Sequence, residues 1–504
     1  MFYSWAMRLP CGKVLSMKSR LLFLYCMQIL FGGNEGFADS NGTNRIRSDY
    51  EIWQLEAEEL GMAGWAFERS YANHSYIALQ TWMAMQGDRG GFITLGFDGG
   101  YRFPVASSLL LDLGLYIGAG GGRGGYHLSG GGLMLRPHIA TVWRGWNVAD
   151  VAVGMSYVSF PNEGSIESVQ PYLQVSVPYS HTGNKQASER HFFLSGFHSM
   201  AAVGRHISVA GGVKNEVGSE QKDFSLVGIE ARAHVANGWY AKLETEGAAQ
   251  GESTGYMQIL GGGGREVLLA PQVILFIEAG IGGAGGGSVS TGGGVLIDGA
   301  AGLRWCVFDD YYIGISGGYL HAPDGELSGY TVACKIGYTV QYEDEFEASP
   351  GSLKAEPFKK TRIRYSYQHY EKRKENWRSH HPDENVGNVG VQLDTFFTEQ
   401  LYISGQGFAA ANGNAGAYMI GLLGIGFQQA IHQAWFVSAE CLVGAAGGGG
   451  LQMGSGLVAQ WNAGIGIKLS ETIGFQGYVG RLKAVEGQFD ADIIGLSINS
   501  LLIW

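Results

Sequence analysis

The chain has 504 residues, 82 of them glycine, 61 aromatic and only 11 proline, with 16% charged residues. That composition is too apolar and aromatic for a disordered chain. It is also too glycine-rich for a helical protein, because each glycine inside a helix costs about 1 kcal/mol relative to alanine. The net charge of −11 excludes a nucleic-acid surface built on basic residues.

An export signal opens the chain. Met17 to Arg20 (MKSR) is a basic start, Leu21 to Phe31 an apolar run, and Gly36-Phe37-Ala38 a small-residue cleavage site, so residues 1–38 read as a signal peptide whose true start is Met17. Eleven apolar residues span about 16 Å as a helix, half a bilayer core, which disfavours a membrane anchor. Removing residues 1–38 leaves 30 basic against 44 acidic residues and three cysteines, Cys306, Cys334 and Cys441. Their number and spacing fit neither a disulfide framework nor a zinc site, so they are expected to be buried small apolar residues.

Residues 39–75 form an N-terminal segment in which Tyr50 to Leu60 fits either a short amphipathic helix or a degenerate strand. Arg45-Ile46-Arg47 within it parallels Arg362-Ile363-Arg364. From residue 76 the chain matches itself. Tyr76, Tyr240 and Tyr402 each stand 11 residues before a turn glycine (Gly87, Gly251, Gly413) and 16 before an aromatic (Phe92, Tyr256, Tyr418). Each aromatic is followed 26 residues later by a glycine tract starting at Gly118, Gly282 and Gly444. Later in each copy come Asn162-Glu163-Gly164, Asp324-Gly325 and Glu486-Gly487. The offsets of 164 and 162 residues define three tandem repeats of about 162 residues, divided as 76–223, 224–385 and 386–504.

Strands flank every tract. Leu109, Leu111, Leu113, Leu115 and Ile117 alternate with a face holding Asp112; Val273, Leu275 and Ile277 alternate with Glu278; Val437, Ala439 and Cys441 alternate with Glu440. Beyond the tracts, Arg136 and His138, Asp298 and Arg304, and Lys468 stand opposite apolar rows. Such period-two runs of about eleven residues exceed the usual soluble strand and fit a tilted bilayer crossing. No uninterrupted apolar stretch of helical spanning length follows the signal. Asp112, Arg136, His138, Glu278, Asp298, Arg304, Glu440 and Lys468 are therefore the candidate lumen-lining residues.

The chain ends on Ile494, Leu496, Ile498, Leu502 and Trp504 at alternate positions, with Ser500 interrupting the row. This resembles the carboxy-terminal strand of bacterial outer-membrane β-barrels, whose terminal aromatic and alternate apolar residues are read by the insertion machinery. The resemblance implies a multi-pass outer-membrane protein surrounded by lipid and lipopolysaccharide. About eight strands per copy predict an all-β, antiparallel transmembrane barrel of about 24 strands, in the range 18–26, closed as one wall.

Chemistry is sparse. Gly120, Gly122 and Gly125 match G-x-G-x-x-G, but no phosphate-loop lysine or helix pattern follows, so neither a nucleotide nor any other cofactor is expected. Glu278 and Glu440 could form a carboxylate pair only if the repeat brought them together. His127, His138, His191, His198 and His206 near serines allow a lipid-modifying enzyme without placing any base beside a nucleophile. His380-His381 offers two ligands where a metal site needs more. The large strand number favours a channel or export conduit for a polar or polymeric solute, served by a periplasmic partner, over a plugged adhesive barrel presenting residues 181–190 and 343–385. On this reading an enzyme is the least favoured of the three.

Overall fold

Three separate barrels, not one, form from this chain. The computed structural model describes residues 43–179, 197–339 and 360–503, apart from 56–57, 72, 124, 145–148, 237, 308–310, 380–383, 433 and 471–472. The export signal and most of the linkers between copies lie outside the described residues, as do His191, His380 and His381.

Barrel 1 comprises β1 (Thr43–Gln54), β2 (Glu59–Ser70), β3 (Ser75–Gln86), β4 (Ile93–Ala106), β5 (Leu109–Gly121), β6 (Leu133–Trp143), β7 (Asp150–Ser159) and β8 (Glu167–Tyr179). Barrel 2 comprises β9 (Phe197–Val209), β10 (Phe224–Ala236), β11 (Trp239–Gln250), β12 (Met257–Ala270), β13 (Val273–Gly285), β14 (Val295–Cys306), β15 (Tyr311–His321) and β16 (Ser328–Thr339). Barrel 3 comprises β17 (Lys360–Lys372), β18 (Val386–Phe396), β19 (Leu401–Asn412), β20 (Met419–Ala430), β21 (Trp435–Gly447), β22 (Leu457–Lys468), β23 (Ile473–Ala484) and β24 (Asp490–Ile503).

Each strand pairs antiparallel with its neighbour, and each set of eight closes on itself through β1·β8, β9·β16 and β17·β24. The count of 24 strands agrees with the repeat length; the expected single wall does not. Closure is decided by whether the first strand of a copy bonds to its own eighth strand or to the next copy, and alternation is blind to that choice. The boundaries shift for the same reason. Residues 43–54 and 59–70 are the first two strands of barrel 1 rather than a leading segment, and β9 and β17 open barrels 2 and 3 ahead of the expected starts at 224 and 386. Tyr50 to Leu60 thus holds the end of β1 and the start of β2.

The glycine tracts, all at one end of the barrels, hold the three barrels in a ring. Gly130, Gly292 and Gly454 stand at matching positions with φ of 52°, 57° and 65°. A Cβ on any of them would run into the carbonyl oxygen of Asn162, Asp324 or Glu486 of the same barrel. Glycine is required there both for the left-handed backbone and for the close approach. Two residues earlier, the carbonyls of Leu128, Ser290 and Gln452 accept bonds from the amides of Ser165 (3.0 Å), Leu327 (2.9 Å) and Phe489 (3.0 Å). Every tract is in this way folded over its own barrel and fastened to the loop before that barrel's last strand.

The same glycine carbonyls receive the neighbouring barrel. Gly90 N donates to Gly292 O at 2.9 Å, Gly416 N to Gly130 O at 3.0 Å, and Thr254 Oγ1 to Gly454 O. The β3–β4 turn of barrel 1 thereby docks on the tract of barrel 2, the β11–β12 turn of barrel 2 on that of barrel 3, and the β19–β20 turn of barrel 3 on that of barrel 1. Beside each latch small side chains let the walls touch: Met83 against Gly283, Gly247 against Ala445, and Ala409 against Ala119. The tracts, each a connection between two strands of its own barrel, therefore lie where one barrel meets the next.

Candidate functional site: the barrel interiors

Alternation sends one residue in two inward, and an eight-stranded barrel is just wide enough for those side chains to fill. At the tract end the filling is apolar. Trp53, Leu60, Met62, Trp82, Phe92 and Phe160 cluster in barrel 1, Phe224, Leu260, Val289 and Leu296 in barrel 2, and Tyr370, Trp377, Tyr418 and Phe489 in barrel 3. Below these plugs the interiors turn polar.

In barrel 1, Arg47 is 1% exposed and meets Asp98, Gln80 at 2.9 Å, Asp49 at 3.2 Å and Glu68 at 3.3 Å. Arg102 clamps Glu68 through two bonds of 2.6 Å and reaches Asp112 at 3.2 Å. Arg136 binds Glu51 at 2.7 Å with its guanidinium 4.6 Å from the rings of both Trp82 and Tyr172. The His138 ring nitrogens face Asp98 (2.9 Å) and Tyr172 (3.1 Å), whereas His206, exposed on β9, has its Nδ1 3.1 Å from Ser225 Oγ and its Nε2 4.0 Å from Asp223.

Barrel 2 is the most charged. Glu278 accepts from Tyr240 at 2.7 Å, Lys335 at 2.9 Å, Arg232 at 3.1 Å and Lys242 at 3.2 Å. Arg205 joins Glu244 and Glu246, with Asp298 3.7 Å away, and Arg304 meets Glu266 at 2.7 Å. The carboxylates of Glu230, Glu244 and Glu278 converge within 4.8 Å, but the Lys335, Lys242, Arg232 and Arg205 side chains supply the positive charge that a metal would otherwise bring. In barrel 3, Arg362 and Arg364 bind Asp394 at 2.6 and 2.8 Å, and Arg364 also binds Glu440.

One arrangement recurs in all three. Tyr76, Tyr240 and Tyr402, landmarks without a role in the sequence, donate to Asp112 (3.0 Å), Glu278 (2.7 Å) and Glu440 (2.8 Å). Arg102, Arg232 and Arg362 lie 4.3, 4.4 and 4.9 Å from the same three rings. The arginines come from different strands, β4, β10 and β17, so no alignment of the copies would pair them. The Arg45/Arg47 and Arg362/Arg364 parallel was the sequence trace of two of these interiors. Lys242, Glu244 and Glu246 also had a signal, three charges at alternate positions of one strand.

Of the eight candidate lumen-lining residues, Asp112, Arg136, His138, Glu278, Asp298, Arg304 and Glu440 are buried inside the barrels, distributed over all three. Lys468 is exposed at the end of β22. Glu278 and Glu440 belong to different barrels, which removes the carboxylate-pair reading. Cys334 and Cys441 are exposed on outward faces and Cys306 is half-buried, so none of the three fills a core as expected. Inward positions of these strands are taken by larger and polar side chains.

Outside the strands, Arg123 of the first tract reaches Glu216 of the β9–β10 loop at 3.3 Å. Partial burial pushes the Glu216 carboxyl above its ordinary value, and the Arg123 charge only partly offsets this.

No family model and no curated protein matches the chain. Among solved structures it is similar to OccAB3 of Acinetobacter baumannii, with 9% identity and a TM-score of 0.21 over 92% of this chain and 100% of that one. It is also similar to the siderophore receptor PirA of the same organism, at 8% identity and 0.29 over 92% and 81%. A third is the ferric enterobactin receptor PfeA of Pseudomonas aeruginosa, at 10% and 0.29 over 92% and 82%. Likeness this slight carries no argument about function; the architecture rests on the strand pairing of this chain.

Proposed function

We propose that the chain is an outer-membrane protein crossing the bilayer as three eight-stranded barrels, and that it works with its lumens plugged, as a rigid membrane-embedded body presenting the tract end. One observation carries this: charge is inside and apolar surface is outside. Ile277, Ile281, Ile297, Ile313, Ile315 and Ile336 of barrel 2 are each at least 44% exposed, while the Lys, Arg and Glu residues between them are buried. A water-soluble barrel would have the reverse pattern.

Strands of 10–14 residues suit a tilted crossing. Exposed Trp143, Trp239, Trp305, Trp435 and Phe475 lie near one set of strand ends, and Tyr50, Tyr157, Tyr319 and Tyr330 toward the other, as in interfacial aromatic girdles. Within each barrel the turns at the end opposite the tracts are as short as residues 107–108 and 271–272, whereas the tract end carries loops 210–223 and 373–385. That asymmetry supports a tract end facing outward. Lipid and lipopolysaccharide would then surround the walls, and the insertion machinery would read β24.

Planar-bilayer recording tests the plug. The purified protein is expected to give no stable conductance step, and reproducible steps would favour the conduit reading, with its periplasmic partner, instead. Folding without detergent would count against the membrane assignment itself.

A further inference from the structure

One place on the outer walls sets barrel 2 apart from its neighbours. Where the first strand of each barrel meets the second near the tract end, barrel 1 pairs Ile52 with Gly61, barrel 3 His369 with Gly387, and barrel 2 His206 with Ser225. In barrels 1 and 3 the glycine is covered. A Cβ on Gly61 or Gly387 would run into the hydroxyl of Tyr50 or Tyr367, two residues before Ile52 and His369. Barrel 2 has Gly204 in place of that tyrosine, with open space where a side chain would begin. It thus has a hydroxyl where the other copies have none, and no ring over it.

The residues around Ser225 are arranged for its use. His206 Nδ1 lies 3.1 Å from Ser225 Oγ, and Nε2 of the same ring is at ion-pair distance, 4.0 Å, from Asp223. The Asp223 carboxylate is itself fixed, accepting from Val209 N at 2.8 Å and from Ser208 Oγ at 3.4 Å. Asn385 makes the matching bond to Lys372 N in barrel 3, at 3.3 Å, so the anchoring belongs to the fold. With the ring proton on Nε2, facing the carboxylate, Nδ1 is left to accept from the serine, and nucleophile, base and orienting group are joined one to the next. His206 and Asp223 are both about half exposed, so a substrate reaches them from outside the barrel. On the same face Val332 and Tyr330 of β16 stand beside His206 and Ser208, and both are exposed. Tyr330 belongs to the aromatic girdle at this end, which marks the level of lipid head groups. The ester bonds of membrane lipids lie at the inner edge of that level.

We propose that Ser225, His206 and Asp223 form an esterase site on the outer wall of barrel 2, which hydrolyses a carboxylic ester of a membrane lipid. Ser225 Oγ attacks the ester carbonyl carbon as His206 Nδ1 takes its proton. The bond from that carbon to the alcohol oxygen breaks, the alcohol leaves with the proton from His206, and the acyl group stays on Ser225. Water then gives a proton to Nδ1 and attacks the acyl carbon; the bond to Oγ breaks, the proton returns to Oγ and the fatty acid departs. Asp223 is a positioning residue, whose charge holds the ring and favours the imidazolium. The lumens stay plugged throughout. The choice of a lipid as substrate rests on the membrane-spanning reading; the ester chemistry does not.

Covalent labelling and two substrates test it. Detergent-folded full-length protein is treated with a fluorophosphonate, which bonds to activated serines, and mapped by mass spectrometry. An adduct is expected on Ser225, and its absence overturns the site. Hydrolysis of p-nitrophenyl butyrate in detergent and fatty-acid release from phosphatidylethanolamine vesicles carrying the protein are then measured. Ser225→Gly and His206→Ile install residues that other copies already hold at these places, and each should lower both rates at least about a hundredfold. Gly204→Tyr, which restores the cover, should lower them likewise, while Gly204→Ala should not. Asp223→Asn keeps the backbone bond, as Asn385 does, and should lower kcat at least about tenfold with KM unchanged. Wild-type rates no higher than those of folded Ser225→Gly overturn the proposal. Butyrate cleaved with phospholipid untouched would overturn the lipid substrate and uphold the ester chemistry, so a failed membrane placement is told from a failed site.

Discussion

Ala417 shows what the latch demands of a single residue. It occupies the position held by Gly91 and Gly255 in the other copies and shares their left-handed backbone, φ 81° against 78° and 88°. An L-residue there carries about 1–2 kcal/mol of strain. Ala417→Gly should therefore stabilise the protein by about 1 kcal/mol after the entropic cost of glycine, read as a higher midpoint of heat-modifiable migration. At Tyr240 the opposite holds. Its hydroxyl is one of four donors to Glu278, so Tyr240→Phe should cost about 1.5–3 kcal/mol in urea unfolding. Glu278→Leu, leaving three buried cations short of a partner, should cost about 3–5 kcal/mol. Glu216→Gln should be nearly silent, because a half-exposed pair such as Arg123–Glu216 contributes at most about 1 kcal/mol.

At the scale of elements, the tract is both a lid for its own barrel and a socket for the next. Gly292→Val would place a side chain against the carbonyl of Asp324 on one side and disturb the Gly90 bond on the other. The variant should lose folded yield during refolding into detergent micelles. Gly204→Ala, at a site with open space around the added Cβ, should not. Equal yields would mean that the tracts are spacers and not fasteners. The bond from Gly416 to Gly130 joins copies that are not consecutive in the chain, as do those from Ala417 N to Gly120 O (3.3 Å) and from Asn162 Nδ2 to Ala411 O (2.8 Å), so contact between barrels 3 and 1 is a consequence of packing and not of chain connection.

For the whole molecule, ring closure explains how three small barrels can act as one body. The exposed apolar residues lie mainly on β5–β8, β13–β16 and β21–β24, while β3, β10, β11, β18 and β19 turn toward neighbours and meet β13, β21 and β5 close to the tracts; Trp65 lies against Gly261 and Phe97 against Tyr365 at 4.7 Å. A ring of this kind should migrate as one heat-modifiable species on a gel without boiling. Separate melting of the barrels would show that the latches do not couple them.

Strand number, alternation, the inward or outward sense of nearly every candidate residue and the threefold repeat were all legible in the sequence, because each depends on spacing along the chain. Asp112 and Leu113 point to opposite sides whichever strand lies beside them. Pairing partners across a copy boundary carry no such local mark. Whether β8 bonds to β1 or to β9 changes no alternation, yet it separates one wide lumen from three filled ones. The tracts behave likewise. Their spacing was visible as repetition, but that Gly130, Gly292 and Gly454 fasten one barrel to another depends on contacts between residues as distant as Gly130 and Gly416. Those contacts exist only in the tertiary structure, where the backbone has been brought close enough for a missing Cβ to matter.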